Sequence, residues 1–427
     1  MIDIRKIREN PEEIIAALAK RTEGGYAEEI NDIIMLDTNR RNILTVLNSM
    51  KAERNAVSKQ IPVYKAEGKD IEPVMASMRA LGAEIETRDA ELAEIEQRLE
   101  SILASLPNLP DSDVAPGGKE SNQVIEIFGE MPEFGFTVKN HVDLCEGLGI
   151  IDYKRGAKLG GNGSWIYRGD GARLEWALLN FFVSEHLTGG YEFILPPHML
   201  SWECGYVAGQ FPKFAEEVFH IANPSGDEKR FMLPTAETAL VNMYRDEIIK
   251  AEDLPMKYMA YTPCYRREAG SYRSEERGMI RGHQFNKVEM FQLTTAEQSD
   301  EAFSDMLKRA DLLVQKLGLH HRISKLAAGD VSASMARTCD IEVWLPSIGI
   351  FKEVSSVSNA REYQARRGNI RYRSGSGELA YVHTLNGSGL ATSRIFPAII
   401  EQYQNEDGTV RIPEVLVPFM GGQKILS

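Results

Sequence analysis

The sequence predicts an α+β protein, with a long antiparallel helical hairpin ahead of a body built on an antiparallel sheet flanked by helices. Three patterns predict it. Between Leu36 and Leu106 apolar residues recur every seven positions in two runs parted by a polar break, which is the period of a coiled-coil seam. Between Tyr261 and Gln292 two stretches rich in aromatic and β-branched residues flank the polar segment Ser271 to Arg277, the pattern of a hairpin with a long loop. Farther on, 340–346 and 351–359 read as consecutive antiparallel strands, and 383–394 as a strand passing through glycines into a helix.

Composition narrows the class. At 427 residues with 43% apolar content the chain can hold two or three domains with real cores. Its net charge of -13 argues against a general nucleic-acid binder, so only a local basic patch is admissible. Cys145, Cys204, Cys264 and Cys339 lie far apart, and the eight histidines show no ligand spacing. Neither a disulfide framework nor a zinc site is expected, and a reducing cytosol fits. No apolar run is long enough for a membrane span, so a cytoplasmic protein without membrane attachment is expected.

The elements follow in order. Asn10 as N-cap and Pro11 at the first helical position open a short helix that turns Ile14, Ile15, Ala17 and Leu18 to one side. The first arm helix carries Leu36, Ile43, Met50 and Val57, with Arg40, Leu47, Arg54 and Ile61 offset by four; the second carries Val74, Leu81, Arg88, Ile95 and Ile102 interleaved with Met78, Ile85, Leu92, Leu99 and Leu106. The break between them is placed at Pro62 to Pro73, short enough to make the helices antiparallel neighbours. Each would extend roughly 45 to 50 Å at about 1.5 Å per residue. Lys51, Arg54, Lys59, Lys65 and Lys69 crowd towards the tip, as suits either phosphate binding or the solvated face of a dimerisation coil. The organisation is thus an N-terminal domain over 1–106 with its arm at about 30–104, a turn-rich linker over 107–119, and a body over 120–427.

Within the body, Gly171 to Pro197 offers a helix with Leu174, Ala177, Leu178, Phe181 and Phe182 on one stripe, then a strand. Met232-Leu-Pro-Thr-Ala-Glu-Thr places the hydroxyl of Thr235 and the carboxylate of Glu237 on one side. Counting by two, Arg266 and Glu268 share a face of the first hairpin strand, and Phe285, Lys287 and Glu289 a face of the second. Such a surface could floor a charged, flat ligand, or be a salt-laced face turned to water. His383-Thr-Leu-Asn-Gly-Ser-Gly leads small residues and a helix start towards Arg394, a setting for an anion. No Walker A sequence occurs, which disfavours a P-loop ATPase.

The wording Pro263-Cys-Tyr-Arg-Arg-Glu-Ala-Gly followed by Arg277-Gly-Met-Ile-Arg-Gly-His-Gln-Phe-Asn-Lys-Val-Glu-Met-Phe-Gln resembles motif 2 of the class II aminoacyl-tRNA synthetases, and of the seryl-tRNA synthetases in particular. The resemblance runs from Ile2-Asp-Ile-Arg to Val417-Pro-Phe-Met-Gly-Gly. It implies a class II catalytic domain with an N-terminal coiled-coil arm, joining L-serine to its tRNA(Ser), and in some settings tRNA(Sec), with ATP and Mg²⁺ and no zinc. On it, Arg266 grips the α-phosphate and the serine carboxylate, Glu268 contacts ATP, Phe285 lies under adenine and Glu289 is the acid at the serine site. Arg267 and Gly282 complete the ATP stretch. Thr235, Ala236 and Glu237 form a serine loop, and Asn386 and Ser388 line the serine pocket. Glu353 and Ser356 reach a Mg²⁺ that bridges the phosphates, with Val354 and Ser355 between them, and Arg394 meets the γ-phosphate. The helix at Gly171 matches motif 1, which implies a homodimer, and the arm lysines with Arg54 would hold the tRNA.

Departures from the pattern are also implied. Arg267 stands where serine is usual, Ser274-Glu275-Glu276 where Arg-Asp-Thr is usual, Gly282 where a larger apolar residue lies beside adenine, and Val357 where cysteine is common; Pro397 enters the last helix. They would suit a divergent second copy that tolerates a serine-like inhibitor. Two rivals are a serine-adenylating enzyme serving another acceptor and an inactive tRNA-binding regulator.

Overall fold

The computed structural model describes residues 1–22, 25–222, 226, 228–268, 278–375 and 377–427. They fall into two compact units. One is built from Ile2–Ala19 and the stretch up to Leu106; the other holds Pro107–Ser427, with Met1 and the residues around Lys20.

The first unit is helical, with α1 at Ile4–Glu9, α2 at Pro11–Ala19, α3 at Ala27–Ala66 and α4 at Glu72–Ser105. Asn10 closes α1 and hands the chain on, its N–H bonded to Lys6 and its carbonyl accepting from the Ile14 N–H. The heptad rows meet as read. Ile43, Leu47, Met50 and Ile85 form a buried seam, with Leu81, Leu92 and Ile95 packed beside it. Near the base of the pair, the buried Asp37 accepts from Arg8 and Arg41 at 3.1 Å each.

The break expected at Pro62 is corrected: α3 passes through Pro62 and ends at Ala66. Proline forfeits only the bond to the carbonyl of Ser58, and Ser58 is exposed, so water can take the vacated acceptor. The helix stops four residues later by backbone capping. Gly68 takes φ +68, and the N–H groups of Gly68 and Lys69 return to the carbonyls of Lys65 and Tyr64. Asp70 then accepts from the Glu72 N–H at 3.0 Å, and Pro73 sits in the first turn of α4.

The second unit is organised by an eight-stranded sheet. Its strands are β1 (Gln123–Phe128), β2 (Glu192–Ile194), β3 (Met256–Tyr265), β4 (Gln284–Thr294), β5 (His321–Lys325), β6 (Arg337–Leu345), β7 (Ile350–Arg361) and β8 (His383–Ala391), in the order β1-β5-β6-β7-β8-β4-β3-β2. Neighbours are antiparallel except the edge pair β2 and β3. Three helices cover one face: α5 (Asp170–Thr188), α6 (Ser299–Lys316) and α7 (Thr392–Gln402). Leu174, Phe182, Met306, Val314, Ile395 and Phe396 from these helices bury with Val288, Met290, Ile341, Val343, Val357 and Leu385 from the sheet. The helices fix the sheet from behind and leave its other face for a site.

The turn-rich stretch after Leu106 is firmly held. Asn108 donates to the carbonyls of Ser334 and Ala360, and the Asp111 carboxylate receives Arg337 at 2.5 Å and Arg361 at 2.8 Å.

Candidate active site

Period-two alternation along β4 builds the site floor. Val288 and Met290 face the helices, while Phe285, Lys287 and Glu289 face the other way and line a cavity of about 300 Å³. Arg266 and Glu268 line it too, but not as alternate residues of a strand. β3 ends at Tyr265, and Glu268 has φ +49, so the chain has already left the pleat. Loop geometry brings them in. The Arg266 N–H bonds to the His283 carbonyl, its Nε donates to Pro234 at 3.3 Å, and its guanidinium lies 5.2 Å from the centre of the Phe285 ring.

On β7 the register slips between Ile341 and Glu342 of its partner, so that Glu342 faces Glu353 while Ile341 faces Ser355. Val354 is the extra residue. This bulge puts Glu353 and Ser356 on the cavity side although they are three positions apart, an odd offset that would put them on opposite faces of a regular strand. On β8, Asn386 and Ser388 face the cavity and Gly387 faces the helices, where an added Cβ would lie 3.0 Å from the sulfur of Met306. Arg394, at the third residue of α7, donates to the Glu353 carbonyl at 2.8 Å and pairs with its carboxylate at 3.3 Å.

One end of the cavity is a buried polar knot. Lys287 donates to the Thr235 hydroxyl at 2.8 Å and pairs closely with Glu289; Thr235 donates to Glu289 at 3.3 Å. The Asn386 amide donates to Glu237 at 3.2 Å and to Glu289 at 3.3 Å. Glu237 also accepts from Gln364 at 2.7 Å. Burial, then the charge of Glu289, push the Glu237 carboxyl up to about 7, against the pull of these bonds and of Lys287 and Arg266. Asn386 Oδ1 and Ser388 Oγ are buried without a partner among the described residues, in a wall of the cavity. Orphan polar atoms of this kind suit a small polar ligand.

The other end holds Phe285, Arg266, Glu268, Arg281, Gly282 and Arg394, with Arg281 at 2.6 Å from Glu268. Gly282 is pressed by Trp165: a Cβ there would come within 2.2 Å of the indole. A neighbouring cavity of about 670 Å³ shares Glu353, Ser356 and Arg394 and adds Asp340 and Glu342. Burial and the nearby Glu353 push the Asp340 carboxyl well above its ordinary range. One of its oxygens has no partner among the described residues.

Thirteen of the residues named from the sequence, Thr235, Glu237, Arg266, Glu268, Gly282, Phe285, Glu289, Glu353, Val354, Ser356, Asn386, Ser388 and Arg394, therefore line one cavity. Ala236, Ser355 and Arg267 do not. Ala236 is buried in a core cluster with Val207 and Leu240; Ser355 donates to the Ser388 carbonyl at 2.6 Å from beneath the wall; Arg267 donates to the Glu216 carbonyl at 2.9 Å, half exposed. Val357 lies on the helix-facing side, under Gly387. The altered segment Ser274-Glu275-Glu276 lies outside the described residues. In the arm, Lys51 pairs with Asp89 and Lys69 with Glu67, whereas Lys59 and Lys65 are exposed. Sequence reasoning gave no role to Gln210, Gln364 or Lys287. Counting by two had put Lys287 on the right face, but nothing in the sequence around the two glutamines marks them.

Comparison with known proteins agrees with this architecture. Residues 219–403 match the tRNA synthetase class II core domain (G, H, P, S and T), and residues 1–110 the seryl-tRNA synthetase N-terminal domain. The chain is 53% identical to serine--tRNA ligase 2 of Clostridium acetobutylicum and 42% identical to the serine--tRNA ligase of Clostridium tetani, each alignment covering 100% of both chains. Among solved structures, seryl-tRNA synthetase from Pyrococcus horikoshii complexed with ATP superposes with a TM-score of 0.92 at 34% identity, covering 100% of this chain and 99% of that one. The cytoplasmic serine-tRNA ligase of Naegleria fowleri in complex with AMP gives a TM-score of 0.88 at 27% identity over the same shares. A helical hairpin ahead of an antiparallel sheet, a motif 2 hairpin flooring a polar cavity and full-length identity above half all lead to one conclusion: the chain belongs to the seryl-tRNA synthetase family of class II aminoacyl-tRNA synthetases.

Proposed function

We propose that the protein activates L-serine with ATP and passes the seryl group to tRNA(Ser) through a seryl-adenylate. The observation that carries this reading is a single cavity with two chemically distinct ends, one a buried knot of carboxylates, amides and hydroxyls, the other an aromatic ring with guanidinium groups. The first suits a small zwitterion with a hydroxyl. The second suits a flat base and its phosphates.

In the proposed reaction a serine carboxylate oxygen attacks the α-phosphorus of ATP, and the bond to pyrophosphate breaks as the new P–O bond forms. The ribose hydroxyl at the tRNA end then attacks the carbonyl carbon and AMP leaves. No side chain has to become a nucleophile. Glu237 takes the ammonium, Arg266 meets the carboxylate and α-phosphate with a planar fork, and Arg394 meets the γ-phosphate, so catalysis is positioning plus charge stabilisation. For Arg394 this means exchanging its pairing with Glu353 for phosphate.

The donor set near Glu353 fits Mg²⁺. Glu353 and Ser356 supply oxygens, and the Asp340 carboxyl beside them, on which burial and Glu353 hold a proton, would release it more readily next to a bound cation. Among the described residues no three acidic, histidine or cysteine side chains gather into a metal cage, so phosphates and water would supply the remaining ligands. When bound, the ion would neutralise phosphate charge.

A homodimer is part of the proposal. Trp176 on α5 is 56% exposed and Leu195, just past β2, is 71% exposed, with Leu187 and Phe193 also open. Such apolar surface beside a sheet edge suits a second copy of the chain. The arm would hold tRNA phosphates, with Lys59 and Lys65 the more available cations, and the same acceptor chemistry extends to tRNA(Sec). No helix among the described residues is long and apolar enough to cross a membrane, and a cytoplasmic location goes with the tRNA role. A divergent copy tolerant of serine analogues stays a second reading, which rests on the departures at Arg267, Gly282 and Val357 from the family pattern.

Serine-dependent exchange of labelled pyrophosphate into ATP, followed by charging of purified tRNA, tests the proposal. Absence of exchange would leave the regulator reading. Removing residues 30–104 should spare exchange and abolish charging; retained charging would refute the role of the arm.

A further inference from the structure

We propose that Lys287 sets the side-chain specificity of the amino-acid subsite: by neutralising Glu289 it leaves an acceptor that takes an uncharged hydroxyl and refuses a second ammonium group. The inference rests on the serine reading above and adds a residue to it.

Two carboxylates flank the Asn386 amide, at 3.2 Å for Glu237 and 3.3 Å for Glu289, yet their surroundings differ. Glu289 has its own cation, since Lys287 pairs with its Oε2. Among the described residues the Glu237 carboxylate is bonded only to amides, from Gln364 and Asn386. A buried anion without a cation is the strong acceptor for a substrate ammonium, so the α-amino group goes to Glu237.

Thr235 cannot compete for the ammonium. Its hydroxyl accepts from Lys287 at 2.8 Å and from the Glu237 N–H at 3.3 Å, and its own proton points to Glu289. Both lone pairs and the one hydrogen are taken. Among the described residues, what stays open on this side is Glu289 Oε1, which has a single amide donor, and Ser388 Oγ, which has no partner. A one-carbon side chain ending in a hydroxyl can donate to the first and accept from the second. An amine of the same length would bring a second positive charge beside Lys287, which is only 7% exposed and cannot swing into water.

The test compares L-serine with L-2,3-diaminopropionate in pyrophosphate exchange by the full-length enzyme, buffered on the acid side of neutrality so that both amino groups of the diamine carry a proton. Wild type should favour serine strongly. Lys287→Met leaves Glu289 as an unpaired anion, and the preference for serine should fall by about 30-fold or more, with part of the change a real gain for the diamine. Lys287→Arg should keep the discrimination, and Lys287→Met with Glu289→Gln should recover it. An unchanged preference in folded Lys287→Met overturns the proposal. If that variant does not fold, Glu289→Gln decides. Leaving Lys287 without its partner, it should reject the diamine about 10-fold more strongly than wild type, and a weaker rejection overturns the proposal. Wild-type enzyme without serine exchange would instead fault the underlying reading.

Discussion

Glu237 makes the pH dependence of serine use a direct probe of the site. Its carboxyl is held near 7 because burial and Glu289 both oppose ionisation, while the ordinary value is 4.5. Only the ionised form can hold an ammonium ion. If Glu237 titrates alone in the free enzyme, its ionised fraction is roughly 0.09 at one unit below its pKa and roughly 0.91 at one unit above, so kcat/KM for serine should rise about 10-fold between about pH 6 and about pH 8. The assay is pyrophosphate exchange at saturating ATP across that range. Glu237→Gln should be much slower and should lose the inflection. Glu175 is also buried and pushed up to about 7, so Glu175→Gln serves as the control that should keep the inflection. A wild-type profile that is flat from about pH 6 to 8, or one whose inflection survives in Glu237→Gln, would refute the assignment of the ammonium to this residue.

Other outcomes follow from the same geometry. Arg266→Ala removes a guanidinium held over the Phe285 ring and should lower exchange by about 10²- to 10³-fold, whereas near-normal turnover would contradict its role. Gly282→Ala drives a methyl group into the Trp165 indole, 2.2 Å from its nearest atom, and should cost about 1 to 3 kcal/mol in denaturant unfolding; Trp165→Leu in the same chain should recover most of that. Glu175 accepts from Thr392 at 2.6 Å and Asn286 at 2.7 Å, but burial dominates and raises its pKa from 4.5 to about 7. A carboxyl raised on folding contributes most below its unfolded pKa, and that contribution is lost as pH rises through about 7. The wild type should thus lose on the order of 3 kcal/mol from this group between about pH 4 and 8, and Glu175→Gln should flatten that part of the stability profile.

What the sequence disclosed, and what it hid, has a physical basis. The seam of Ile43, Leu47, Met50 and Ile85 was legible because a seven-residue period is written into one contiguous run. The end of α3 was not, because proline is read locally as a breaker while its cost depends on whether the freed carbonyl can reach water, as it can at Ser58. On the hairpin, alternation worked where the strand persists, at Phe285, Lys287 and Glu289, and misled at Arg266 and Glu268, where the pleat has ended. Glu353 and Ser356 share a side only through a bulge, which no count by two could foresee. Most of the cavity residues were named through family resemblance rather than pattern. Gln364, which orients Glu237 and in turn accepts from Thr384 at 2.6 Å, sits in a stretch with no motif of its own.

The crowding of Gly282 by Trp165 bears on how this enzyme could have diverged. With an indole filling the room that any side chain at 282 would need, neither position can drift by itself without passing through a clashing or a hollow intermediate. The two codons are therefore tied together in inheritance although they lie in separate parts of the chain. A lineage that holds the glycine–tryptophan pair would therefore find it hard to lose one step at a time.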